Sequence, residues 1–263
     1  MKYQGVILYI VLSVIMVSCS DISDDERLIF VKPADVHRNI LIEDFTGQRC
    51  VNCPLATEEI ENLQKQYGES AIVAVSIHSG PLGFYTNSRF TGLSTTTGDE
   101  YFGHWNLDYQ PIGMIDRSEP MAYTSWAASI REHLEQKVSA SIDIDCTVDE
   151  NTGKADVHVG ISGIEGSFAG KLQLWVVEDS ITAFQMMPDG TRNDEYVHRH
   201  VFRSAVNGVW GEDVSVKEGE TKESDKQVLL TDEWNVGNLY IVAFIYDEEG
   251  VQQVKQLKMK TRQ

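Results

Sequence analysis

Apolar residues follow two different spacings in this chain, and the change falls near residue 138. Before that point, short apolar runs typical of buried strands alternate with segments whose apolar residues recur at helical spacing. This alternation favours an α/β layer in which helices cover a sheet. The predicted elements are strands over 39–45, 71–77 and 112–116, and helices over 54–67, 98–105 and 124–137.

After residue 137, apolar and polar residues alternate with a period of two, which is typical of strands with one buried face. Turns such as 150–153 and 247–250 separate these strands, so the pattern predicts an all-β, immunoglobulin-like sandwich over 138–263. A final strand is predicted over 251–259. The residues predicted to share buried faces are Ile142, Ile144, Cys146 and Val148; Val157, Val159 and Ile161; Leu172, Leu174 and Val176; and Leu239, Ile241, Ala243 and Ile245.

Residues 1–18 have the pattern of a secretory signal peptide. Lys2 precedes an apolar run over 5–17 that is too short to span a bilayer comfortably, and Ser18 lies at the expected cleavage site. The sequence Met16-Val17-Ser18-Cys19 resembles a bacterial lipobox, which implies that Cys19 is lipidated and becomes the first residue of the mature chain. The alternative is an ordinary signal peptide in which Cys19 occurs by chance.

The mature chain is therefore expected to be anchored to a membrane lipid rather than threaded through the bilayer. No other segment approaches the ~20 apolar residues of a spanning helix. Residues 19–35 are predicted to form a solvated tether, with four acidic residues between Ser20 and Glu26. This tether resembles the acidic export signal of Bacteroidetes surface lipoproteins, and both the cell surface and the periplasmic face are kept as locations.

The chain carries 22 Lys and Arg against 40 Asp and Glu, a formal net charge of −18. Nucleic-acid binding requires charge of the opposite sign and is excluded. The acidic residues are spread along the chain, which favours solubility and interaction with cations or basic partners. The length favours two domains, and the change of pattern places their boundary between 137 and 138.

The candidate chemistry lies in a C-x-x-C motif formed by Cys50 and Cys53. The motif follows a predicted strand and precedes a predicted helix, and Pro54 suits the first helical turn. Cys50 at a helix N-terminus, with Arg49 beside it, is a position that lowers a thiol pKa. In an oxidising envelope, we expect the two cysteines to form a disulfide unless a reductant reaches them.

Residues 36–137 resemble the thioredoxin fold. The strand over 40–45 is similar to the one that precedes the thioredoxin dithiol, and Asp44 has the spacing of that family's buried carboxylate. The segment over 109–116 resembles the one that carries the family's cis-proline, which makes Pro111 a candidate cis bond. The resemblance implies that Cys50 attacks, Cys53 resolves the mixed disulfide, Asp44 transfers a proton and Pro111 shapes the client groove.

The same residues also have interpretations other than a thioredoxin-like active site. Arg49 replaces the aromatic residue that usually precedes the first cysteine, and 79–97 forms a long insertion that is either a lid over the dithiol or a surface loop. The cysteine pair is alternatively a structural disulfide, and Asp44 a solvated carboxylate at a strand end. Cys146, flanked by apolar residues two positions away, is expected to be a small buried hydrophobe.

A second group of polar residues lies at His198 and His200, which would project from one face of a strand. They are either a metal-binding pair or two histidines with ordinary hydrogen bonds. With the signal peptide, the E-D-F-T-G-x-x-C-x-N-C-P motif and the two-part plan, the segment around them resembles the Omp28-type outer membrane lipoproteins of Bacteroidetes. That resemblance implies an outer membrane location more than a mechanism.

Two functions of different classes follow. The favoured hypothesis is a lipid-anchored binding module of the cell envelope, on a thioredoxin-like scaffold, with a protein or glycan partner at the segment over 179–211. The alternative is an envelope thiol–disulfide oxidoreductase that uses Cys50 and Cys53. Metal capture is a third, weaker idea, and neither a cofactor nor a metal is assigned.

Overall fold

Long stretches of β-branched and apolar residues form fourteen strands among residues 37–262, which are the residues that the computed structural model describes. The predicted signal peptide over 1–18, Cys19 and the whole predicted tether over 19–35 lie outside them. The strands are β1 Ile40–Thr46, β2 Ile72–His78, β3 Ile112–Ile115, β4 Ala140–Asp149, β5 Lys154–Gly163, β6 Phe168–Glu178, β7 Ile181–Met186, β8 Arg192–His198, β9 Val201–Ala205, β10 Glu212–Val216, β11 Thr221–Leu229, β12 Leu239–Asp247, β13 Gly250–Lys258 and β14 Lys260–Thr261.

Three α-helices occur in the described part of the chain, and their termini follow from local sequence. The first helix, α1 (Cys53–Tyr67), has a proline in its first turn and is followed by Gly68, whose φ of 96° favours glycine. Helix α2 begins after Thr95, whose hydroxyl accepts a hydrogen bond from the Gly98 backbone. No helix within residues 37–262 is long and apolar enough to cross a membrane. The helices are α1 Cys53–Tyr67, α2 Thr96–His104 and α3 Trp126–Leu134.

An eight-stranded sheet contains strands from both halves of the described chain. Its order is β13-β12-β6-β9-β2-β1-β3, and β10 also pairs with β6. Strands β1 and β2 are parallel, whereas β3 runs antiparallel to β1. Strand β9 bridges the two halves, because it pairs with β6 on one side and with β2 on the other. The bridge to β2 is one residue pair, Ser76 and Val201.

A second sheet, in the order β11-β5-β4-β14, packs its apolar face against β6 and β12. Alternate residues of β6 supply this core, including Leu172 and Leu174. The other face of β6 carries Trp175 and Val177 into a different core, which they share with residues of β1, β2 and helix α2. Helices α1 and α3 cover the remaining face of β1 and β2.

The fold class expected from the sequence is wrong. Strands make up 46% of the described residues and helices 17%, so this part of the protein is predominantly β, and no separate thioredoxin-like α/β domain is evident in it. The individual helices and strands lie close to their predicted positions, but β1, β2 and β3 form one side of a sheet that continues through β9 into strands β6, β12 and β13. A β-sandwich remains plausible for the second half, where the sheet β11-β5-β4-β14 faces β6 and β12, although β6 and β12 also contribute to the core on the first side. The change of pattern near residue 138 falls in the connection between α3 and β4.

Candidate functional site

The two cysteines of the C-x-x-C motif are joined in a disulfide. Cys50 lies in the turn after β1, and Cys53 is the first residue of α1. Their sulfur atoms are 2.15 Å apart, and their Cα atoms are 5.4 Å apart. Each residue is 2% exposed. The site therefore holds an oxidised, buried sulfur pair rather than an accessible thiol.

A hairpin from the second half of the chain covers this disulfide. Strands β7 and β8 pair with each other in a two-stranded sheet. From β7, the Gln185 side-chain amide donates a hydrogen bond of 2.8 Å to the Cys50 carbonyl, and the Met186 backbone donates one of 2.9 Å to the Gln48 carbonyl. Because these bonds reach backbone groups of the turn, the hairpin is fixed directly over the motif.

The insertion over 79–97 packs against the same turn. The Arg49 backbone donates a 3.0 Å hydrogen bond to the Leu82 carbonyl, and the buried Gln48 side chain bonds the backbones of Thr91 and Leu93. Gly47 is required here, since an added Cβ would lie 2.3 Å from the Leu82 oxygen. The insertion is thus an ordered wall of the site.

Aromatic side chains link the insertion to the hairpin. The rings of Phe84 and Phe184 lie 5.0 Å apart, and those of Phe90 and Phe184 lie 5.6 Å apart, in edge-to-face arrangements. The Arg49 guanidinium lies over Phe84, 5.0 Å from its centroid. The contacts between insertion and hairpin are therefore apolar and extend outside the hydrogen-bonded turn.

A small enclosed chamber lies behind Cys53. Its volume is about 10 Å³, which is comparable with the space of a single water molecule. The strand ends of β1, β2 and β8 and the first turn of α1 all contribute to it, and its lining residues are Thr46, Cys53, Pro54, Thr57, Ser76, His78, Gln185, Tyr196, His198 and Arg199.

Asp44 is fully buried beside this chamber. One carboxyl oxygen accepts a 3.4 Å hydrogen bond from the Ser76 hydroxyl, and the other has no hydrogen-bond partner. Burial raises the pKa of Asp44 from 3.8 to about 7, against the smaller lowering effect of the Ser76 bond. The alternative of a solvated carboxylate does not fit this burial, so Asp44 is a group that can exchange a proton near neutral pH.

Two histidines meet in the chamber, although only one of them was singled out in the sequence. The rings of His78 and His198 lie 5.1 Å apart. Burial lowers the pKa of His198 to about 4, and burial together with the neighbouring His198 lowers the pKa of His78. Both rings are therefore neutral at physiological pH. His78 lacks a sequence signal because its partner is 120 residues away in the chain.

His200 turns away from this group. It has a φ of 56°, and its Nε2 lies 3.3 Å from the Gln64 side-chain oxygen. His198 instead places Nε2 3.3 Å from the Phe184 carbonyl. Among residues 37–262, no cluster of three or more His, Cys, Asp or Glu side chains is suited to hold a metal ion. The two histidines do not converge on a common site.

Pro111 follows a cis peptide bond, Gln110–Pro111. The Gln110 side-chain amide donates hydrogen bonds to the carbonyls of Thr46 and Ser79, and its oxygen accepts one from the Leu82 backbone. These contacts tie the segment before β3 to the end of β1 and to the insertion. Cys146 lies elsewhere, 2% exposed in the core between the two sheets.

The segment over 179–211 divides between two surfaces. Its first part forms the hairpin over the disulfide, and its last part carries Trp210 into an open cleft of about 500 Å³ at the opposite end of β1. We call this feature the aromatic cleft. Its lining residues are His104, Trp105, Asn106, Arg117, Ser118, Glu119, Pro120, Trp210, Tyr246, Asp247, Glu248, Glu249 and Gly250.

Arg117 lies at the base of the aromatic cleft. It is 8% exposed, and its Nε lies 3.4 Å from Glu43 Oε1, which is itself fully buried. The guanidinium is surrounded by rings, with its central carbon 4.2 Å from the centroid of Tyr246 and 4.8 Å from that of Phe244. Its two Nη atoms have no hydrogen-bond acceptor.

Comparison with known proteins gives one family match. Residues 98–263 match the sequence model of the family described as outer membrane protein Omp28. No curated protein has a significant match to the sequence.

Among solved structures, HBP35 of Porphyromonas gingivalis is similar in fold. It is 15% identical, the match covers 85% of this chain and 76% of that chain, and the TM-score is 0.66. A domain of the outer membrane lipoprotein Omp28 from Porphyromonas gingivalis is 22% identical over 48% of this chain and 92% of that chain, with a TM-score of 0.35. The first likeness supports the overall fold, and the second is too distant in structure to add to it.

Proposed function

This chain belongs to the Omp28 family of outer membrane proteins, and we propose that it acts at the outer membrane as a lipid-anchored binding module. In this proposal, the Cys50–Cys53 disulfide is a structural tie, and the ligand binds elsewhere on the surface. The partner is a protein or a glycan of the envelope or its surroundings.

The burial of the disulfide is the observation that carries this proposal. Thiol–disulfide exchange requires a thiolate to reach one of the two sulfur atoms. Both cysteines are 2% exposed, with the hairpin bonded to the Cys50 carbonyl and the insertion bonded to the Arg49 backbone. A client could reach either sulfur only after these contacts had broken. The pair is placed to hold the turn against helix α1.

The aromatic cleft supports a binding role. Its volume of about 500 Å³ lies within the usual range of small-molecule sites, roughly 300–1,000 Å³. Indole and phenol rings line it, and such rings are common in recognition surfaces because they combine apolar area with polar edges. An open cleft, in a protein whose disulfide is covered, favours recognition over redox chemistry.

The anchor is proposed at Cys19, on the lipobox resemblance. The test is labelling of cells with a palmitate analogue, followed by membrane fractionation of the wild type and of Cys19→Ala. Cys146→Ala serves as the matched control, since it also removes one cysteine outside the disulfide. We expect only Cys19→Ala to lose the label and the membrane association. An equal label in that variant would contradict the anchor.

The reduction potential of the Cys50–Cys53 pair tests the structural role. Structural disulfides of secreted proteins have potentials below about −300 mV, whereas oxidoreductases lie at roughly −120 to −270 mV. We expect a value in the lower range, and slow reduction of the folded protein because the sulfurs are covered. A potential in the upper range, with rapid reduction, would favour the redox alternative.

The redox alternative is kept because one observation favours it. Asp44, with a pKa of about 7 and an unpartnered oxygen, accepts a hydrogen bond from Ser76, which lines the same chamber as Cys53, so a group that can exchange a proton lies near the chamber. If the pair is catalytic, Cys53→Ser should accumulate mixed disulfides between Cys50 and clients. Cys50→Ser is the matched control. A clean, folded Cys53→Ser protein without trapped clients would argue against this activity.

A further inference from the structure

We propose that the aromatic cleft binds a neutral saccharide. This inference rests on the proposed binding function and names the chemical class of its ligand. Four features of the cleft support it: half-buried rings at its walls, unpaired hydrogen-bond donors at its base, carboxylates at its rim, and a base whose buried charges are paired.

The walls present flat aromatic surfaces. Trp105, Trp210 and Tyr246 are each half-buried, so part of every ring faces the cleft. The ring centroids of His104 and Trp210 are 4.2 Å apart, and those of Trp105 and Trp210 are 6.5 Å apart. A pyranose ring has C–H groups on its faces and hydroxyls at its periphery. Stacking on an indole covers the apolar faces and leaves the hydroxyls free to bond.

The base offers donors that have no acceptor. Among the described residues, Nη1 and Nη2 of Arg117 and Nε1 of Trp105 are buried without a hydrogen-bond partner, and both residues line the cleft. A buried donor without a partner has given up its hydrogen bond to water and destabilises the fold. The oxygen of a ligand hydroxyl can accept from these groups and offset that destabilisation. The base is therefore complementary to a ligand that brings acceptors.

The rim of the cleft supplies hydrogen-bond acceptors, whereas the base supplies donors. Glu119, Asp247, Glu248 and Glu249 line the cleft, and their carboxylates accept hydrogen bonds and repel anions. At the base, the Arg117 charge is already paired with Glu43. A ligand that both donates at the rim and accepts at the base, with no net charge, fits both regions. A sugar hydroxyl has both capacities.

A basic peptide is the main competing ligand. Its lysine or arginine side chains would suit the rim, but they are donors only and carry no acceptor for the Trp105 indole or the Arg117 Nη atoms. An anionic sugar would suit Arg117 but would meet the carboxylates of the rim. The neutral saccharide is the class for which both ends of the cleft are favourable.

The test uses the mature, folded protein and follows both tryptophan fluorescence and saturation-transfer NMR. The probes are neutral oligosaccharides of two to four units, their uronic-acid counterparts and a short Lys-Arg peptide. We expect the neutral oligosaccharides to bind and the other two probes to bind weakly or not at all.

Three variants locate the site, and a fourth is the control. Trp105→Phe keeps an aromatic ring but removes the indole N–H donor. We expect the affinity for the saccharide to fall ~5-fold, the effect of one neutral hydrogen bond. Trp210→Ala removes a wall and should cost tenfold or more, about the effect of an interface hot spot. Glu248→Gln is exposed at the rim, so it leaves folding intact and should weaken binding by a smaller factor. Trp234→Phe, at a partly buried residue packed against the core between the sheets and outside the cleft lining, should change nothing.

The outcomes separate the two proposals. Peptide binding that depends on Trp210, without saccharide binding, would overturn the saccharide proposal and leave the binding function standing. Saccharide binding that none of the three cleft variants weakens would place the sugar elsewhere and also overturn it. Absence of binding by every probe overturns it as well. If the Cys50–Cys53 potential also lies in the oxidoreductase range, the binding function fails too.

Discussion

The buried carboxyl of Asp44 makes the stability of the oxidised protein depend on pH in a specific way. Its pKa is about 7 in the folded chain and 3.8 in the absence of burial. Between these values, the folded state holds a proton that the unfolded state has released. Stability therefore falls as pH rises through this window, because the slope with pH follows the difference in bound protons.

The size of the effect follows from the shift in pKa. One pKa unit corresponds to about 1.4 kcal/mol, so the displacement to about 7 lowers the free energy of unfolding by about 4 kcal/mol above pH 7. Roughly 2–3 kcal/mol of this accrues between pH 5 and pH 8. Asp44→Asn mimics the protonated carboxyl, since the amide can still accept from the Ser76 hydroxyl. We expect the difference in free energy of unfolding between Asp44→Asn and the wild type to grow by that amount, in favour of the variant, from pH 5 to pH 8.

The assay is urea denaturation of the disulfide-bonded proteins at pH 5, 6, 7 and 8. The histidines of the unfolded chain also titrate in this range, but they are common to both proteins and cancel in the difference. Asp145→Asn is the control, because Asp145 is an exposed carboxylate on β4. A stability difference between Asp44→Asn and the wild type that does not change with pH would refute the reasoning.

Three further predictions concern the same region. Replacing both Cys50 and Cys53 by Ser should lower the free energy of unfolding by only about 2 kcal/mol, because the closed loop is short; calorimetry checks this, and no loss would show that the bond holds nothing in place. Gly47→Ala should cost roughly 1–3 kcal/mol, since its Cβ would lie 2.3 Å from the Leu82 oxygen; an unchanged melting temperature would contradict the packing of the insertion. For His198→Gln, we expect the free energy of unfolding relative to the wild type to be about 2 kcal/mol higher at pH 5 than at pH 8. The reason is that the folded wild type keeps a neutral ring with a pKa of about 4, whereas the unfolded chain binds a proton below pH 6.5. The same denaturation series checks this last prediction, and a gain at pH 8 instead would contradict it.

Local features of this fold could be predicted from the sequence because they depend on nearby residues. Helix α1 follows from Pro54 and the apolar spacing after it, and the short strand β3 from its apolar run. The disulfide follows from two cysteines three residues apart before a helix. Each of these elements is decided within about fifteen residues, where spacing and propensity act directly.

The architecture could not be predicted in the same way, although one signal for it was present. The period-two reading placed Leu172, Leu174 and Val176 on one buried face of β6, but Trp175 and Val177 are buried on the other face. A continuous apolar run of this kind indicates a strand that is covered on both sides. Such a strand belongs inside a larger layered structure, rather than to a sandwich with one solvated face.

The surroundings of the disulfide depend on pairings that no local pattern contains. Gln185 reaches Cys50 across 135 residues, and His198 reaches His78 across 120. Both partners come from the hairpin β7–β8, whose strand β8 is mostly exposed and therefore lacks a strong apolar pattern. The sequence could nominate the cysteines, but it could not show that the second half of the chain covers them.

The order of strands in the large sheet has a consequence for how the chain reaches its native state. Strand β9 lies between β2 and β6, and the start of the described chain is held at the end of the sequence, where the Asn39 side chain donates to the Val254 carbonyl and the Arg38 side chain pairs with Asp116 next to β13. Contacts between residues more than 200 positions apart give a high contact order, which slows folding. The first hundred described residues alone would leave the core around Trp175 without half of its members. We therefore expect a nascent chain to complete its large sheet only after its last strands are available, which would delay folding until late in synthesis or export.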